Sequence, residues 1–231
     1  MALALVNGRV LLPAGLRENV CVLIDDGRIR ALSSEPAADA EQIDLGGRIL
    51  LPGFIDTQVN GGGGVLFNDS PTVEAIAAIG AAHRRYGTTG FLPTLISDDL
   101  DVVARAIEAV DAAIAAGVPG VLGIHIEGPF LSEKRHGIHD LARLRKFDGR
   151  AFDLLTSLKH GRTLVTVAPE IVAASEIQAM AARGLIVAAG HTDADYETVH
   201  NAIDHGLTGF THVFNAMSPL MNRAPGAVGA A

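Results

Sequence analysis

The sequence predicts an α/β protein whose larger part is a parallel sheet of repeating strand and helix units. Three observations carry that reading. From Leu51 onward, apolar strand candidates alternate with Ala-rich helical segments. Polar or glycine-rich residues recur just after those strands, at Asn60-Gly61, Glu127-Gly128, Glu170, His191 and Asn215. Before Leu51 the pattern is different: short apolar runs are cut by tight turns, with no helical period.

Taken in order, LALV, RVLL, VCVLI and RIRAL read as short strands within residues 1–50. Asn7-Gly8 and Asp26-Gly27 supply the positive φ angles that two-residue hairpin turns demand. A unit of this size buries two sheet faces poorly, so it is expected to pack on the rest of the chain or to receive further strands. Strands are then expected near Gly53 (GFIDTQV), Thr89 (TGFLPTL), Val121 (VLGIHIE), Leu164 (LVTVAPE), Leu185 (LIVAAG) and Leu207 (LTGFTHVF). Helices fall between them at 73–84, 99–116, 174–183 and 194–204. Parallel strands covered by helices on both faces read as nearly continuous apolar runs, as these do. The domain reading is therefore 1–50, part of a small β-sandwich, and 51–231, a (β/α) barrel domain with about six of the usual eight units. An eight-unit barrel takes about 250 residues, and the chain's closing GAVGAA reads as a poor terminal element, so the end of a closed barrel is expected to be missing.

Composition narrows the function. The 231 residues carry 18 basic and 26 acidic side chains, a formal charge of −8. That balance argues against a broad grip on nucleic acid, which needs a basic footprint. Cys21 is the one cysteine, so neither an intrachain disulfide nor a thiolate metal cluster is available, and its VCVLI setting reads as core. No apolar run reaches membrane-spanning length, and Asn7, Gly8 and Pro13 interrupt the region a signal peptide would need. A cytoplasmic protein is expected.

The chemistry concentrates at the strand ends. Of nine histidines, His83, His160, His200 and His205 lie in helical or helix-flanking segments and read as structural. Glu127 closes an apolar strand just before Gly128-Pro129, where a buried carboxylate calls for a cation, a metal or a proton. His125, two residues back, shares its face and reads as a supporting or structural group. His191 follows LIVAAG, and His212 falls in the strand FTHVFNAM, 21 residues on, at the next strand end of a barrel. One carboxylate and two imidazoles on one rim can form a catalytic zinc site with an open position for water. The Gly61–Gly64 run allows a tight backbone path beside a ligand or at a domain junction, and Arg223 is placed to fork a phosphate.

With these residues assembled, the chain resembles the N-acetylglucosamine-6-phosphate deacetylase family of the amidohydrolase superfamily. The stretches that carry the resemblance are PGFIDTQVNGGGGVLFND (52–69), GIHIEGPFLSEKRHGIHD (123–140), AAGHTDADY (188–196) and THVFNAMSPLMNRAPG (211–226). The resemblance implies a distorted (β/α)8 barrel with a small β-sandwich built from both ends of the polypeptide, and a homodimer. It implies one divalent metal, zinc with iron, cobalt or manganese as alternatives, held by Glu127, His191 and His212. Gln58-Val59-Asn60 stands where many amidohydrolases carry His-x-His, so Gln58 and Asn60 read as vestiges of a second metal position. It further implies that His139 contacts the acetamide carbonyl or sugar, and that Asn215, the Ala216 backbone N–H and Arg223 hold the phosphate of a small phosphorylated amino sugar. Deacetylation would release acetate and glucosamine 6-phosphate.

One departure matters. The family carries the reaction's proton on an aspartate after strand eight, expected beyond Ala231 and matched by nothing in this chain. Asp193 and Asp195 read as residues opening a helix. The chain resembles roughly the first three fifths of such an enzyme, so weak or absent turnover, partial metal occupancy and uncovered edges at the first and sixth strands are expected. Alternatives are another amidohydrolase (dihydroorotase-like or an N-acyl-amino-acid hydrolase), a non-catalytic sugar-phosphate-binding fragment, or a six-stranded open α/β domain.

Overall fold

The computed structural model describes residues 2–231, which fall into a first unit ending at Gly53 and a second, Phe54–Ala231. Seven strands make the first unit: β1 (Leu3–Val6), β2 (Arg9–Leu12), β3 (Gly15–Arg17), β4 (Cys21–Asp25), β5 (Arg28–Ser33), β6 (Glu41–Asp44) and β7 (Ile49–Leu50). The Asp26-Gly27 pair behaves as expected. Both residues take positive φ, 51° and 66°, and join β4 to β5 with Asp25 opposite Arg28. Asn7-Gly8 does not make a hairpin. Asn7 has φ 55°, but β1 pairs with β4 and β6 while β2 pairs with β3 and β7, so the chain changes sheets at this point. The Asn7 amide donates to Asp44 at 2.7 Å, and Gly8 passes so close to Leu45 that a Cβ there would stand 2.6 Å from its side chain. Cys21 and Val22 are buried, yet Ile29, Leu32 and Ile43 stay exposed, as a unit of this size predicts.

The second unit is built on one parallel sheet of six strands, ordered β15-β14-β13-β12-β11-β8. Its strands are β8 (Phe54–Val59), β11 (Thr88–Ile96), β12 (Gly123–Glu127), β13 (Arg162–Val167), β14 (Ile186–Ala189) and β15 (Leu207–Phe210). The six expected strands are all present and sit in sequence order, as consecutive units of a (β/α) barrel do. Strands β8 and β15 form the two edges, and on β8 the apolar Phe54 and Ile55 are exposed.

The four expected helices are α1 (Val73–Arg84), α2 (Leu100–Ala115), α4 (Ala174–Ala182) and α5 (Tyr196–Asp204). Their starts follow capping chemistry: Thr72 accepts from Ala75 N at 3.2 Å and Asp195 from Thr198 N at 2.9 Å. Ile76 and Ile79 on α1, Val103, Ile107 and Val110 on α2, and Ile177 and Met180 on α4 recur at helical spacing and are wholly or almost wholly buried. Each such side chain contributes roughly 1.5–3 kcal/mol of burial. Residue 124 and residue 126 of β12 join this helix-facing core, which turns His125 and Glu127 to the other face of the sheet.

Three features depart from expectation. The Gly61–Gly64 run makes a hairpin of β9 (Gly61–Gly62) and β10 (Val65–Leu66), with Gly63 and Gly64 at φ 62° and 83°. Gly61 and Gly62 are tight: a Cβ on Gly61 would meet the Val65 carbonyl oxygen at 2.4 Å and one on Gly62 would meet His83 at 2.9 Å. An unforeseen helix, α3 (Gly149–Leu155), is capped by Asp148 onto Ala151 N at 2.8 Å. The closing GAVGAA forms a short helix, α6 (Gly226–Ala230), which buries Ala227 against Ala194, Val199 and Met217. Small residues let it pack closely there. No helix among the described residues is long and apolar enough to cross a membrane.

Candidate metal centre

Glu127 ends β12 with 3% of its surface exposed. Its two oxygens have separate surroundings. Oε2 accepts a hydrogen bond from the Gln58 side-chain amide at 2.9 Å. Oε1 stands 3.3 Å from His191 Nε2 and 3.2 Å from His212 Nε2, and those two nitrogens are 3.0 Å apart. Residues 69, 64 and 85 positions apart in the chain are thus brought together at one rim of the sheet, from β8, the end of β12 and the turns after β14 and β15.

The protons in this cluster follow from its outer contacts. His191 Nδ1 lies 2.8 Å from the Arg135 carbonyl oxygen, and His212 Nδ1 lies 3.0 Å from that of Asn215. A carbonyl only accepts, so both rings carry hydrogen on Nδ1, and a neutral ring then turns a lone pair on Nε2 toward its neighbours. Two lone pairs and a carboxylate oxygen within 3.3 Å of each other repel unless a cation sits among them. A proton on His212 answers part of this, and its hydrogen bond to Glu127 raises the pKa of that ring. Burial, the largest influence on Glu127, pushes its pKa up, but the adjoining His191 and His212 and the nearby His125 and His139 outweigh it and leave the carboxyl well below its ordinary range. A divalent metal answers the whole demand. Ligands about 2.0–2.2 Å from a tetrahedral zinc stand roughly 3.3–3.5 Å apart, close to the separations here. The residues fit the ion.

His139 needs a separate assignment. Glu127, His139 and His191 each offer an atom within 4.8 Å of the others, which would make His139 a ligand by distance alone. Its hydrogen bonds argue otherwise. The Ser97 backbone N–H donates to His139 Nδ1 at 3.3 Å, and Ser97 Oγ lies 2.7 Å from the same atom. Nδ1 is therefore the acceptor and Nε2 carries the hydrogen. That Nε2 is buried and has no protein partner. Burial, then the adjacent His191, lowers the pKa of His139 to about 4, so the ring is neutral near pH 7. It presents one free N–H donor, whereas His191 and His212 present lone pairs. Hydrogen-bond geometry thus makes Glu127, His191 and His212 the set that turns ligand atoms toward a common point.

A cavity of about 410 Å³ opens over the cluster, lined by Gln58, Asn60, Leu66, Asn68, Ile96, Glu127, Ile138, His139, His191 and His212. Glu127 is the only carboxylate on that lining. A larger cavity of about 860 Å³ in the first unit, lined by Asn7, Arg9, Glu18 and Cys21 among others, has no such convergence of ligand atoms.

Backbone shape sets the two histidines. His191 and His212 take φ 47° and 40°, and Phe214 and Ala216 take 77° and 51°. Such positions cost about 1–3 kcal/mol each in non-glycine residues and persist where the surroundings hold them. Here Ser132 N donates to the His191 carbonyl at 2.9 Å, Thr192 N to Ala216 O at 3.1 Å and Ser218 N to Thr192 O at 3.0 Å, so the two histidine loops are stitched together. His212 was expected within a strand. It lies in the turn after β15, which ends at Phe210, because the positive φ turns its ring back toward Glu127.

The remaining expected residues are placed as follows. Gln58 is not idle: its amide holds Glu127. Asn60 lines the cavity, while its backbone carbonyl accepts from Phe67 N at 2.8 Å. Asn215 is exposed and contributes its carbonyl to His212; Ala216 contributes its own carbonyl to Thr192. Arg223 is exposed, with φ 62°, and lines a third cavity of about 500 Å³ beside Asp195, Tyr196 and Ser218. The structure thus does not bring Asn215, Ala216 or Arg223 onto the lining of the cavity above Glu127. Of the two aspartates expected to open a helix, only Asp195 caps α5; Asp193 pairs with Lys134 and Arg135, which hold its carboxyl below the ordinary range.

His125 was read as a supporting or structural group, but the partners that fix it and the other rings were not legible in sequence. His125 is buried between Thr94 Oγ1, 3.2 Å from Nδ1, and Thr166 Oγ1, 2.8 Å from Nε2, and Thr166 meets Thr211 at 2.6 Å. This polar layer takes one threonine each from β11, β13 and the turn after β15. Ser97 and the Arg135 carbonyl, which fix the rings of His139 and His191, carried no signal, since one is an ordinary serine and the other a backbone atom.

Comparison with known proteins gives the family of the chain. The chain is 45% identical over 229 residues to an N-acetylgalactosamine-6-phosphate deacetylase of Shewanella sp. (strain ANA-3), covering 97% of this chain and 58% of that protein. It is 42% identical over 200 residues to the human N-acetylglucosamine-6-phosphate deacetylase, covering 82% and 48%. The crystal structure of N-acetylglucosamine-6-phosphate deacetylase from Pasteurella multocida superposes with TM-score 0.95 at 31% identity, covering all of this chain and 62% of that one. The chain therefore spans about half to three fifths of the length of these relatives. The model of the amidohydrolase family matches residues 49–229, which takes in every strand of the parallel sheet and all of Glu127, His139, His191 and His212; on that match the chain belongs to the amidohydrolase family.

Proposed function

We propose that this site serves the hydrolysis of N-acetyl-D-glucosamine 6-phosphate to D-glucosamine 6-phosphate and acetate. The observation that carries the reading is the meeting of Glu127 Oε1 with two Nε2 lone pairs whose rings are locked by backbone carbonyls. A divalent metal, zinc by preference, bound there supplies Lewis acidity toward an amide carbonyl and toward water. Gln58 holds the second oxygen of Glu127, so the carboxylate keeps one oxygen turned to the histidines. His139 offers its free Nε2–H inside the cavity, where it donates to the acetamide oxygen as negative charge develops. Leu66, Ile96 and Ile138 give the same cavity an apolar side that suits an acetyl group.

The proton that must reach the leaving nitrogen has no carrier on this lining, because Glu127 is committed to the histidines and no other carboxylate is present there. On its own, the chain is expected to bind metal and ligand while turning over weakly. We further assign residues 1–50 to part of a β-sandwich and 51–231 to the metal-hydrolase domain, with Asn215, Ala216 and Arg223 as phosphate contacts, the protein as a homodimer, and the cytoplasm, where phosphorylated sugars are retained, as its location.

A second reading is supported by the Shewanella relative, whose name specifies the galacto epimer. The test is steady-state acetate release with zinc, comparing N-acetylglucosamine 6-phosphate, N-acetylgalactosamine 6-phosphate and unphosphorylated N-acetylglucosamine. Higher kcat/KM for the first supports the proposal, and higher kcat/KM for the second moves the assignment to the galacto epimer. Equal values for phosphorylated and unphosphorylated sugar point instead to another amidohydrolase. A rate matching that of a full-length relative refutes the expectation of weak turnover.

A further inference from the structure

His191 depends on a carbonyl that belongs to a separate loop. The turn Glu133–Arg135 follows β12, and the Arg135 carbonyl oxygen in it receives His191 Nδ1 at 2.8 Å. Three anchors fix that turn and its partner. Ser132 N donates to the His191 carbonyl at 2.9 Å. Two residues past His191, the Asp193 carboxylate takes Arg135 Nε at 2.9 Å on one oxygen and Lys134 Nζ at 3.0 Å on the other. Asp193 is itself fixed from behind, since its backbone N donates to Glu170 Oε1 at 2.6 Å while Thr192 Oγ1 donates to Glu170 Oε2 at 2.5 Å. The contacts close a ring: His191 to the Arg135 carbonyl, the Arg135 side chain to Asp193, and Asp193 back to His191 along the chain.

We infer that Asp193 is a positioning residue for the metal centre: by clasping Lys134 and Arg135 it fixes the carbonyl that sets the tautomer and aim of His191. This rests on the metal reading of Glu127, His191 and His212. The physical reason is that a ligating imidazole is oriented by the acceptor on its other nitrogen, and loss of such outer contacts costs about 10–100-fold in metal affinity. The Arg135 carbonyl is a backbone atom that no side-chain change removes, so its placement falls to whatever holds the turn. The Asp193–Arg135 contact is partly shielded, with 25% and 34% of the two side chains exposed, whereas Lys134 is 79% exposed and adds little.

The test measures zinc affinity of the chain by competition with a chromogenic chelator, and the visible spectrum of the cobalt-loaded chain, for the parent, Asp193→Asn, Arg135→Ala and the double variant. Asp193→Asn and Arg135→Ala are each expected to weaken zinc binding about tenfold and to alter the cobalt bands, with metal-free melting temperatures near that of the parent. Because both break one contact, the double variant is expected to lose about tenfold again in total rather than a hundredfold. Arg150→Ala, which breaks the distant exposed pair with Asp101, is expected to leave zinc affinity unchanged. Zinc affinity and cobalt spectrum equal to the parent in Asp193→Asn overturn the inference, as do fully additive losses. If Asp193→Asn does not fold, Arg135→Ala decides alone, and unchanged affinity there overturns it. If the parent chain binds no zinc, it is the metal reading that fails, a distinct result.

Discussion

Replacing Gln58 by leucine tests the electrostatics of the centre most directly. In the structure Glu127 is almost wholly buried, and its Oε2 has one side-chain partner, the Gln58 amide at 2.9 Å. Gln58→Leu keeps a side chain of comparable bulk and removes the amide that donates to Glu127. A hydrogen bond to a charged group is worth about 1.5–3 kcal/mol, and a buried acceptor left without one bears the desolvation cost in full. The second unit should therefore lose about 1.5–3 kcal/mol, or about 3–12 °C in Tm for a chain of this size. The chain has no tryptophan and two tyrosines, so urea unfolding followed by far-UV circular dichroism is the suitable assay, run with a chelator and with zinc. Glu127 also loses the contact that keeps Oε1 turned to the histidines, so zinc binding should weaken as well. Stability within about 0.5 kcal/mol of the parent in both conditions, a surface-like effect, would show that Gln58 is a spectator and refute the reasoning.

Other outcomes follow from the same structure. Burial, reinforced by His212 and opposed by Glu127 and the Thr57 backbone, lowers the pKa of His125 to about 4 from an ordinary 6.5. A ring that protonates more readily unfolded than folded withdraws stability as pH falls from about 6.5 to about 4, by up to about 3 kcal/mol. The stability-versus-pH slope in urea should flatten in His125→Gln but not vanish, because His139 is lowered to about 4 by burial as well; an unchanged slope refutes the assignment. Gly123 opens β12 with φ 151°, and a Cβ there would stand 1.9 Å from the Arg162 carbonyl oxygen. Gly123→Ala must push β12 and β13 apart and should cost about 3 kcal/mol or more, and a variant as stable as the parent in the same assay contradicts the register. Isothermal titration with zinc should give one site per chain, abolished in His191→Ala and in His212→Ala, while His139→Gln retains it; loss of zinc in the last variant would make His139 a ligand.

The sequence by itself determined the order and kind of the main elements. Apolar runs at Gly53, Thr89, Val121, Leu164, Leu185 and Leu207 became the six strands, because a strand covered on both faces needs continuous apolar residues and little else can use them. It also determined which residue types reach the strand ends, Glu127 and His191 among them. Tertiary structure alone decided the rest. Asn7-Gly8 turns the chain between sheets instead of closing a hairpin, since the same positive φ serves either purpose and only pairing elsewhere chooses. His212 leaves its strand for a strained turn that the stitching of residue 192 to residues 216 and 218 sustains. The tautomers of His139, His191 and His212 come from Ser97 and from the carbonyls of Arg135 and Asn215, and a backbone carbonyl looks alike at every position of a sequence. Which ring gives a lone pair and which gives a proton is thus a property of hydrogen-bond geometry between distant segments, and composition and spacing do not encode it.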